Sequence, residues 1–411
     1  MIGTTVGRSW ARSRGVVRRL GAVLVSASVM LAPTPALAAT PAPAAVGAPS
    51  AVSSVAGAIS LPALPGRYPV GTVTRELVDH SRVDPYAPTL QDRAVMVQVW
   101  YPARHADRFP TAPLLTPALA AFLEKENGLP AGLLSTVLTR AHRGVPAARP
   151  QDEQSGQEGW PVVLFSPGWG FSRSLYSTMV EDLASRGYVV VAIDHPYDAD
   201  AVEMADGHLV LGNQPVTEAA AVRAAEVRVD DTRFVLDQLP VLRAGLRLPL
   251  DLHRVGMFGQ SMGGATAASA MLADRRIMAG ANLDGSFFGP VVDRGLDRPF
   301  LLLSGAGHDR STDPTWAAAW PKLRGWHANL MLAGSEHMTF SDIAVLAGPL
   351  QLATLLPPGQ LEAMVGTIDG LRAAEIQQTY LTAYFDRFLR HRPAPLLNGP
   401  DPRYPEVLFQ A

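Results

Sequence analysis

Short runs that are apolar at consecutive positions recur through the body of this 411-residue chain, and they constrain its fold more than any other feature. Val162–Ser166 reads VVLFS and stops at Pro167-Gly168. Tyr188–Ile193 reads YVVVAI, and Val255–Gly259, Ala279–Leu283 and Phe300–Ser304 are of the same kind; Ala328–Leu332 is weaker. Ala94–Tyr101 (AVMVQVWY), rich in β-formers, precedes them and ends at Pro102. A strand apolar on both faces needs cover on both faces, the condition met in a mostly parallel sheet packed under helices. Helical patterns lie between the runs. Leu175, Met179 and Leu183 share a face of 175–186, Glu218–Leu239 is long and amphipathic, and 262–272 and 376–389 complete the set. This alternation predicts an α/β chain with a doubly wound, mostly parallel sheet in a single catalytic domain. Residues 112–143, rich in Leu and Ala, are expected to be a helical insertion, read equally well as a lid or as a packing helix. No internal repeat is visible.

The chain opens differently. Residues 1–38 carry five Arg and no acid; an apolar run, Leu20 to Leu31, follows, then Pro33, Pro35 and Ala36-Leu37-Ala38. A positive start, a short apolar middle and a small-x-small end predict a secretory signal cleaved near Ala38, and so a secreted chain, extracellular or periplasmic. The run falls short of the ~20 residues that span a bilayer; an uncleaved anchor is the alternative. Arg18-Arg19-Leu20 is a candidate twin-arginine element. Residues 39–65, mostly Ala, Pro, Ser, Val and Gly, read as a linker. The catalytic domain is expected over 66–395 and a C-terminal tail over 396–411.

Net charge is −2, and without residues 1–38 the remainder holds 30 bases and 37 acids. A mildly acidic body argues against nucleic acid as a partner. The chain has no Cys. Disulfides and thiolate catalysis are excluded, and any covalent nucleophile must be Ser, Thr, Lys or a carboxylate.

Three loops carry the chemistry. Gly259-Gln260-Ser261-Met262-Gly263 fits G-x-S-x-G between a predicted strand and a predicted helix, the setting of a nucleophile elbow that presents Ser261 at the sheet's C-terminal edge. Ser261 needs a base. His337, after the last predicted strand and C-terminal to Ser261, is the candidate; His195 and His308 read as structural, His195 bonded to backbone and His308 structural or at the rim. The acid that orients the imidazole is Asp284, ending the strand after the elbow helix, or the alternative Asp309, after the following strand; Asp313 is a weaker version of the same choice. Spacing does not separate Asp284 from Asp309. Asp230 and Asp231 read as a solvated helix face. An oxyanion hole needs two N–H donors: Met262 N–H, next to the nucleophile, and Trp169 N–H, in Ser166-Pro167-Gly168-Trp169-Gly170.

At these residues the chain resembles the platelet-activating factor acetylhydrolases of the plasma and isoform II type. The resemblance runs in order from Gly66-Arg67-Tyr68-Pro69-Val70-Gly71 through Trp100-Tyr101-Pro102, the Phe165–Gly170 loop, Leu175-Tyr176-Ser177 and Asp182–Gly187. It continues through the elbow and Leu283-Asp284 to Gly334-Ser335-x-His337-x-x-Phe340-x-Asp342. It implies an α/β-hydrolase that needs no metal, with no cofactor expected, cleaving short or oxidised acyl chains from phospholipids. The implied triad is Ser261, Asp284 and His337, with Trp169 and Met262 as oxyanion donors, so the resemblance favours Asp284 over Asp309. Gln260 and Pro167 stand where the family usually has His, and Met262 replaces Phe of the animal members. Ser-Pro-Gly-aromatic and Ser-Met-Gly-Gly are also similar to bacterial cutinases and polyester hydrolases, which take their acid from the strand before Asp309. The expected partners are a small or lipid ester and, through the apolar stretch 343–356, a transient lipid surface; core packing is the alternative reading of that stretch. Oligomeric state is not specified. A hydrolase fold without activity, acting as a binding protein, is the remote alternative that the intact Ser, His and acid set argues against.

Overall fold

The computed structural model describes residues 58–150 and 159–410. The expected signal segment, its cleavage point and most of the 39–65 linker lie outside the described residues.

Fourteen strands occur among the described residues: β1 (Ile59–Ser60), β2 (Val70–Val83), β3 (Asp92–Pro102), β4 (Thr111–Pro113), β5 (Val137–Arg143), β6 (Trp160–Ser166), β7 (Val189–Asp194), β8 (Ala201–Glu203), β9 (Leu209–Leu211), β10 (Leu250–Gln260), β11 (Ile277–Leu283), β12 (Phe300–Ser304), β13 (His327–Leu332) and β14 (Val407–Gln410). The helices are α1 (Pro117–Glu126), α2 (Ser177–Ser185), α3 (Glu218–Leu246), α4 (Met262–Ala273), α5 (Val291–Arg294), α6 (Pro314–Ala319), α7 (Asp342–Leu346), α8 (Leu352–Leu355), α9 (Gln360–Val365) and α10 (Gly370–Leu389). Twelve strands form one sheet in the order β1-β5-β2-β3-β7-β6-β10-β11-β12-β13-β14, with β4 on β5. Neighbours from β7 through β13 are parallel; β3 is antiparallel to both β2 and β7, and β14 to β13.

Successive strand side chains point to opposite faces, and here both faces are dry. In β6, Val162 and Leu164 pack with Val235 and Leu236 of α3 and Ala267 and Met271 of α4. Val163 and Phe165 pack on the other side with Met179 and Val180 of α2 and Tyr380 and Phe385 of α10. The doubly wound α/β reading holds for that reason.

The topology also places a site. From β6 the chain turns to β7 on one side, then returns through α3 to β10 on the other side of β6 and continues to β11 and β12. Where strand order reverses, the loops at the strands' C-terminal ends part and leave a crevice. Ser166 ends β6 and pairs with Gly259 of β10; Gln260, the last residue of β10, pairs with Leu283 of β11. The loops after β6, β10 and β11 therefore share one edge.

Four expectations change. Residues 112–143 are not a helical insertion alone: α1 lies between β4 and β5, and β5 pairs parallel with β2 at Val70↔Ala141. The alternation of buried Val137, Thr139 and Ala141 is period-2, masked in sequence by Arg140 and His142. Leu114, Leu119 and Leu134 pack there with Leu346, Leu350 and Leu352 of the 343–356 stretch, so these apolar positions are used in core packing. The expected tail is no tail over 407–410, where β14 completes the sheet edge. The linker region includes β1, which pairs with β5. Asp231 is fully buried on the inner face of α3, while Asp230 is exposed as read.

Candidate active site

Ser261 has φ 55° and ψ −123° between the end of β10 and the start of α4. Holding a non-glycine residue there costs about 1–3 kcal/mol, which the surrounding structure must offset. The surroundings do so through close backbone approach. A Cβ on Gly263 would lie 1.9 Å from the Ser166 carbonyl oxygen, and one on Gly259 would lie 2.3 Å from the Gly263 carbonyl carbon. Only glycine at both positions lets the bend sit against β6. Ser261 N–H donates to the Leu283 carbonyl (2.8 Å), tying the bend to the end of β11. Gln260 and Met262 are buried, while Ser261 between them is partly exposed at the first turn of α4, where the helix's positive end lies.

One residue past β11, Asp284 also has positive φ, 59°. Its carboxylate accepts from three donors: His337 Nδ1 (2.6 Å), His308 Nδ1 (2.8 Å) and Gly305 N–H (2.8 Å). Burial acts to raise its pKa, but the bonds from His308 and His337 hold it well below the usual carboxylate range. On the other side of the His337 ring, the Gln260 amide donates to Nε2 (3.1 Å). That amide is oriented by a chain of bonds: Gly168 N–H donates to Tyr176 Oη (3.2 Å), and Tyr176 donates to Gln260 Oε1 (3.0 Å). His337 therefore has its proton on Nδ1 and its lone pair on Nε2, the tautomer a general base requires. Among the described residues no hydrogen bond joins Ser261 Oγ to His337; catalytic bonds of this kind commonly tighten only around substrate.

The loop after β6 is held from behind. Arg228 of α3 donates to the Pro167 carbonyl (2.5 Å) and the Gly168 carbonyl (3.2 Å), and pairs with Asp198. In a trans peptide C=O and N–H point oppositely. With the Gly168 carbonyl turned to Arg228, the Trp169 N–H of the same peptide points away from it. Trp169 and Phe288 pack on Met262 and Ala225, making an apolar wall beside the elbow.

Asp309 is not brought to His337. It is half-buried, and its carboxylate accepts from Ser311 and Thr312 within its own turn. Asp313 bonds His308 Nε2 (3.0 Å) rather than His337. His195 is buried, and its partners are side chains, Ser166 Oγ (3.0 Å) and Asp231 (2.8 Å), in place of the expected backbone. Burial and nearby Arg228 lower its pKa, which suits a neutral ring. Asp231 also pairs with Arg93 (2.7 Å) and Arg82 (2.9 Å). Sequence reasoning missed Gln260, Arg228 and Asp198, and undervalued His308. The signal for Arg228 and Asp231 was position: both fall on the stripe that Ala221, Ala224, Ala225 and Val235 mark as inward. Among the described residues no group of three or more His, Asp or Glu is arranged to hold a metal ion.

A parallel sheet with a strained Ser-bearing elbow at its switch point, and an Asp-bound imidazole beside it, defines an α/β-hydrolase of the carboxylic ester hydrolase class. Comparison with known proteins places it further. A family model, platelet-activating factor acetylhydrolase, isoform II, matches residues 53–206, a span that includes Trp169 and ends before Ser261. A probable 1-alkyl-2-acetylglycerophosphocholine esterase of Arthroderma benhamiae is 31% identical over 378 residues, covering 87% of this chain and 95% of the fungal protein. The platelet-activating factor acetylhydrolase of Cavia porcellus is 24% identical over 275 residues, 60% of this chain and 61% of that protein. The solved structure of a ferulic acid esterase from Streptomyces cinnamoneus superposes with a TM-score of 0.75 at 37% identity, covering 86% of this chain and all of that one. The chain belongs to the platelet-activating factor acetylhydrolase family.

Proposed function

We propose that this protein is a secreted serine esterase that cleaves short-chain acyl esters through Ser261, His337 and Asp284 and a covalent acyl-enzyme. In this reading His337 Nε2 takes the Ser261 proton as Oγ attacks the ester carbonyl, and Asp284 stabilises the imidazolium that forms. The Met262 and Trp169 N–H groups hold the developing oxyanion. His337 then protonates the leaving alcohol, and a water activated by the same ring releases the acid. The observation that carries the reading is the bond from Asp284 to His337 Nδ1 (2.6 Å), which leaves Nε2 unprotonated beside the residue preceding Ser261. Release from the cell after cleavage near Ala38 rests on residues 1–38 alone.

Substrate class follows from the walls. The Ile, Val and Leu side chains of 343–356 are buried or half-buried, and large exposed apolar residues such as Val83, Leu90 and Val241 lie elsewhere. This favours esters taken from solution, such as acetyl or oxidised-acyl phospholipid monomers, over a docked lipid film. Half-exposed Trp169, Phe171 and Phe288 at the crevice support a second reading, an aromatic acyl ester; the structural neighbour from Streptomyces is a ferulic acid esterase.

Ser261→Ala is expected to abolish hydrolysis of p-nitrophenyl acetate and labelling by a fluorophosphonate probe; retained activity would end the proposal. A panel of an sn-2 acetyl phospholipid, p-nitrophenyl esters of increasing chain length, a feruloyl ester and a polyester film separates the substrate readings.

A further inference from the structure

We propose that His308 is a positioning residue of this site: as an imidazolium it bridges Asp284 to Asp313 and so fixes the carboxylate that orients His337. The proposal rests on the triad reading above. Its basis is a count of donors. His308 Nδ1 lies 2.8 Å from Asp284 Oδ1, and Nε2 lies 3.0 Å from Asp313 Oδ2. An ionised carboxylate only accepts, so both ring nitrogens must donate, which requires the protonated ring. His337 differs, since its Nε2 receives a donor from Gln260. A single carboxylate thus holds two imidazoles, of which His308 alone has a carboxylate at each ring nitrogen.

The rest of the pocket suits a cation. The His308 ring stacks on Trp316 with centroids 4.3 Å apart and planes 26° from parallel, an arrangement favourable to positive charge. Trp316 Nε1–H donates to the Gly285 carbonyl (2.7 Å), so the platform under His308 is tied to the residue after Asp284. Asp313 is fixed in turn by Thr315 N–H (2.7 Å) and Trp316 N–H (3.2 Å). Burial alone would lower the His308 pKa; the bonds to Asp284 and Asp313, with their charges, outweigh it and lift it to about 9. Burial would likewise raise Asp313, but the His308 bond leads the groups that bring it down to about 2. The other titratable groups facing this cluster are His337 across Asp284, Asp309 in the same loop as His308, and Glu336 beside His337.

Two consequences follow for catalysis. The imidazolium offsets part of the Asp284 charge that His337 would otherwise meet. When His308 loses its proton, a lone pair on Nε2 faces Asp313, the bridge opens, and Asp284 keeps fewer anchors.

The test measures kcat/KM for p-nitrophenyl acetate, corrected for the uncatalysed rate, from about pH 5 to pH 10. Wild type, His308→Gln, Asp313→Asn and Ser261→Ala are compared, with circular dichroism to verify folding. In His308→Gln the acid limb is expected to rise by about half a pH unit or more, because the Asp284 charge is no longer offset. The loss of activity expected near pH 9 in wild type, as His308 loses its proton, disappears. In Asp313→Asn that alkaline loss moves to lower pH. A uniform drop in His308→Gln with both limbs unmoved, or no change at all, overturns the proposal. Where His308→Gln does not fold, an unmoved alkaline limb in Asp313→Asn overturns it. Ser261→Ala is inactive in either case; activity there would reject the triad reading and is distinguishable from failure of the His308 bridge.

Discussion

At the scale of single residues the site depends on which side chain can reach which atom. Asp284 and Asp309 are equally plausible by spacing, since each follows a strand that ends at the same sheet edge. They differ in what occupies their oxygens. Asp309 closes a local turn with Ser311 and Thr312, as Asp so often does in loops. Asp284, turned inward by its positive φ, meets two imidazoles and the Gly305 amide. We expect Asp284→Asn to lower kcat by a factor on the order of 10³–10⁴, the loss typical when the orienting carboxylate of a Ser-His-Asp set is neutralised. Asp309→Asn should change kcat less than about threefold, as for a surface substitution. The reverse ranking in p-nitrophenyl acetate kinetics would overturn the assignment of Asp284. Gln260 shows the limit of reading residues one at a time: in the sequence it is only a departure from the family's usual His, yet its amide connects the Gly168 loop, through Tyr176, to His337.

At the scale of elements, the His337 turn is anchored to a helix distant in sequence. Asp342, at the start of α7, accepts from Ser177 N–H (2.7 Å) and Thr178 N–H (3.1 Å) at the first turn of α2. It satisfies donors that the helix leaves without partners and pins the loop carrying His337 to the layer behind the sheet. Gln377 of α10 holds the same loop through the Thr339 carbonyl (3.1 Å). Asp342→Ala is expected to lower stability by about 1–2 kcal/mol, as loss of an N-terminal cap does, and to lower kcat as well. Urea unfolding and steady-state kinetics check both, and unchanged stability would mean that the loop is held otherwise. The long helix α3 shows why element type is easier to read than element face. Its period was visible, but Arg228 and Asp231 sit on the inward stripe because buried partners, Asp198 for one and Arg93 with His195 for the other, accept them there.

At the scale of the molecule, stability should respond to pH in a direction set by a few buried groups. His308 is raised to about 9 by its carboxylates, against burial. Its contribution is complete below the unfolded value near 6.5 and is lost as pH rises through 9. Burial raises Glu181 to about 7 and Asp342 to about 6, so the native state binds more protons than the unfolded chain between about pH 4 and 7, and stability falls there too as pH increases. His195, lowered by burial, works the other way below its ordinary value. Asp231 and Asp284, held low by Arg93, His195, His308 and His337 in spite of burial, contribute above about pH 4, and that contribution is lost on acidification. The expected outcome in calorimetry is a Tm lower at pH 9 than at pH 6; an equal or higher Tm at pH 9 would contradict these assignments.

The sheet and the Ser-bearing elbow at its edge were legible in the chain alone. Consecutive apolar runs carry a strong, local hydrophobic signal, and a Gly-flanked Ser between a strand and a helix is a local steric arrangement; neither needs distant residues to be recognised. The outer strands β5 and β14 were less legible, because Arg140 and His142 interrupt the buried positions of β5, β14 is four residues long, and both owe their pairing to neighbours far along the chain. Only the tertiary structure decided which Asp meets His337, that His308 shares that carboxylate, and that Gln260 and Arg228 serve the loops around Ser261. Those relations join residues from five different loops and helices. They depend on distances of about 3 Å between hydrogen-bonding atoms, and spacing along a chain does not encode such distances.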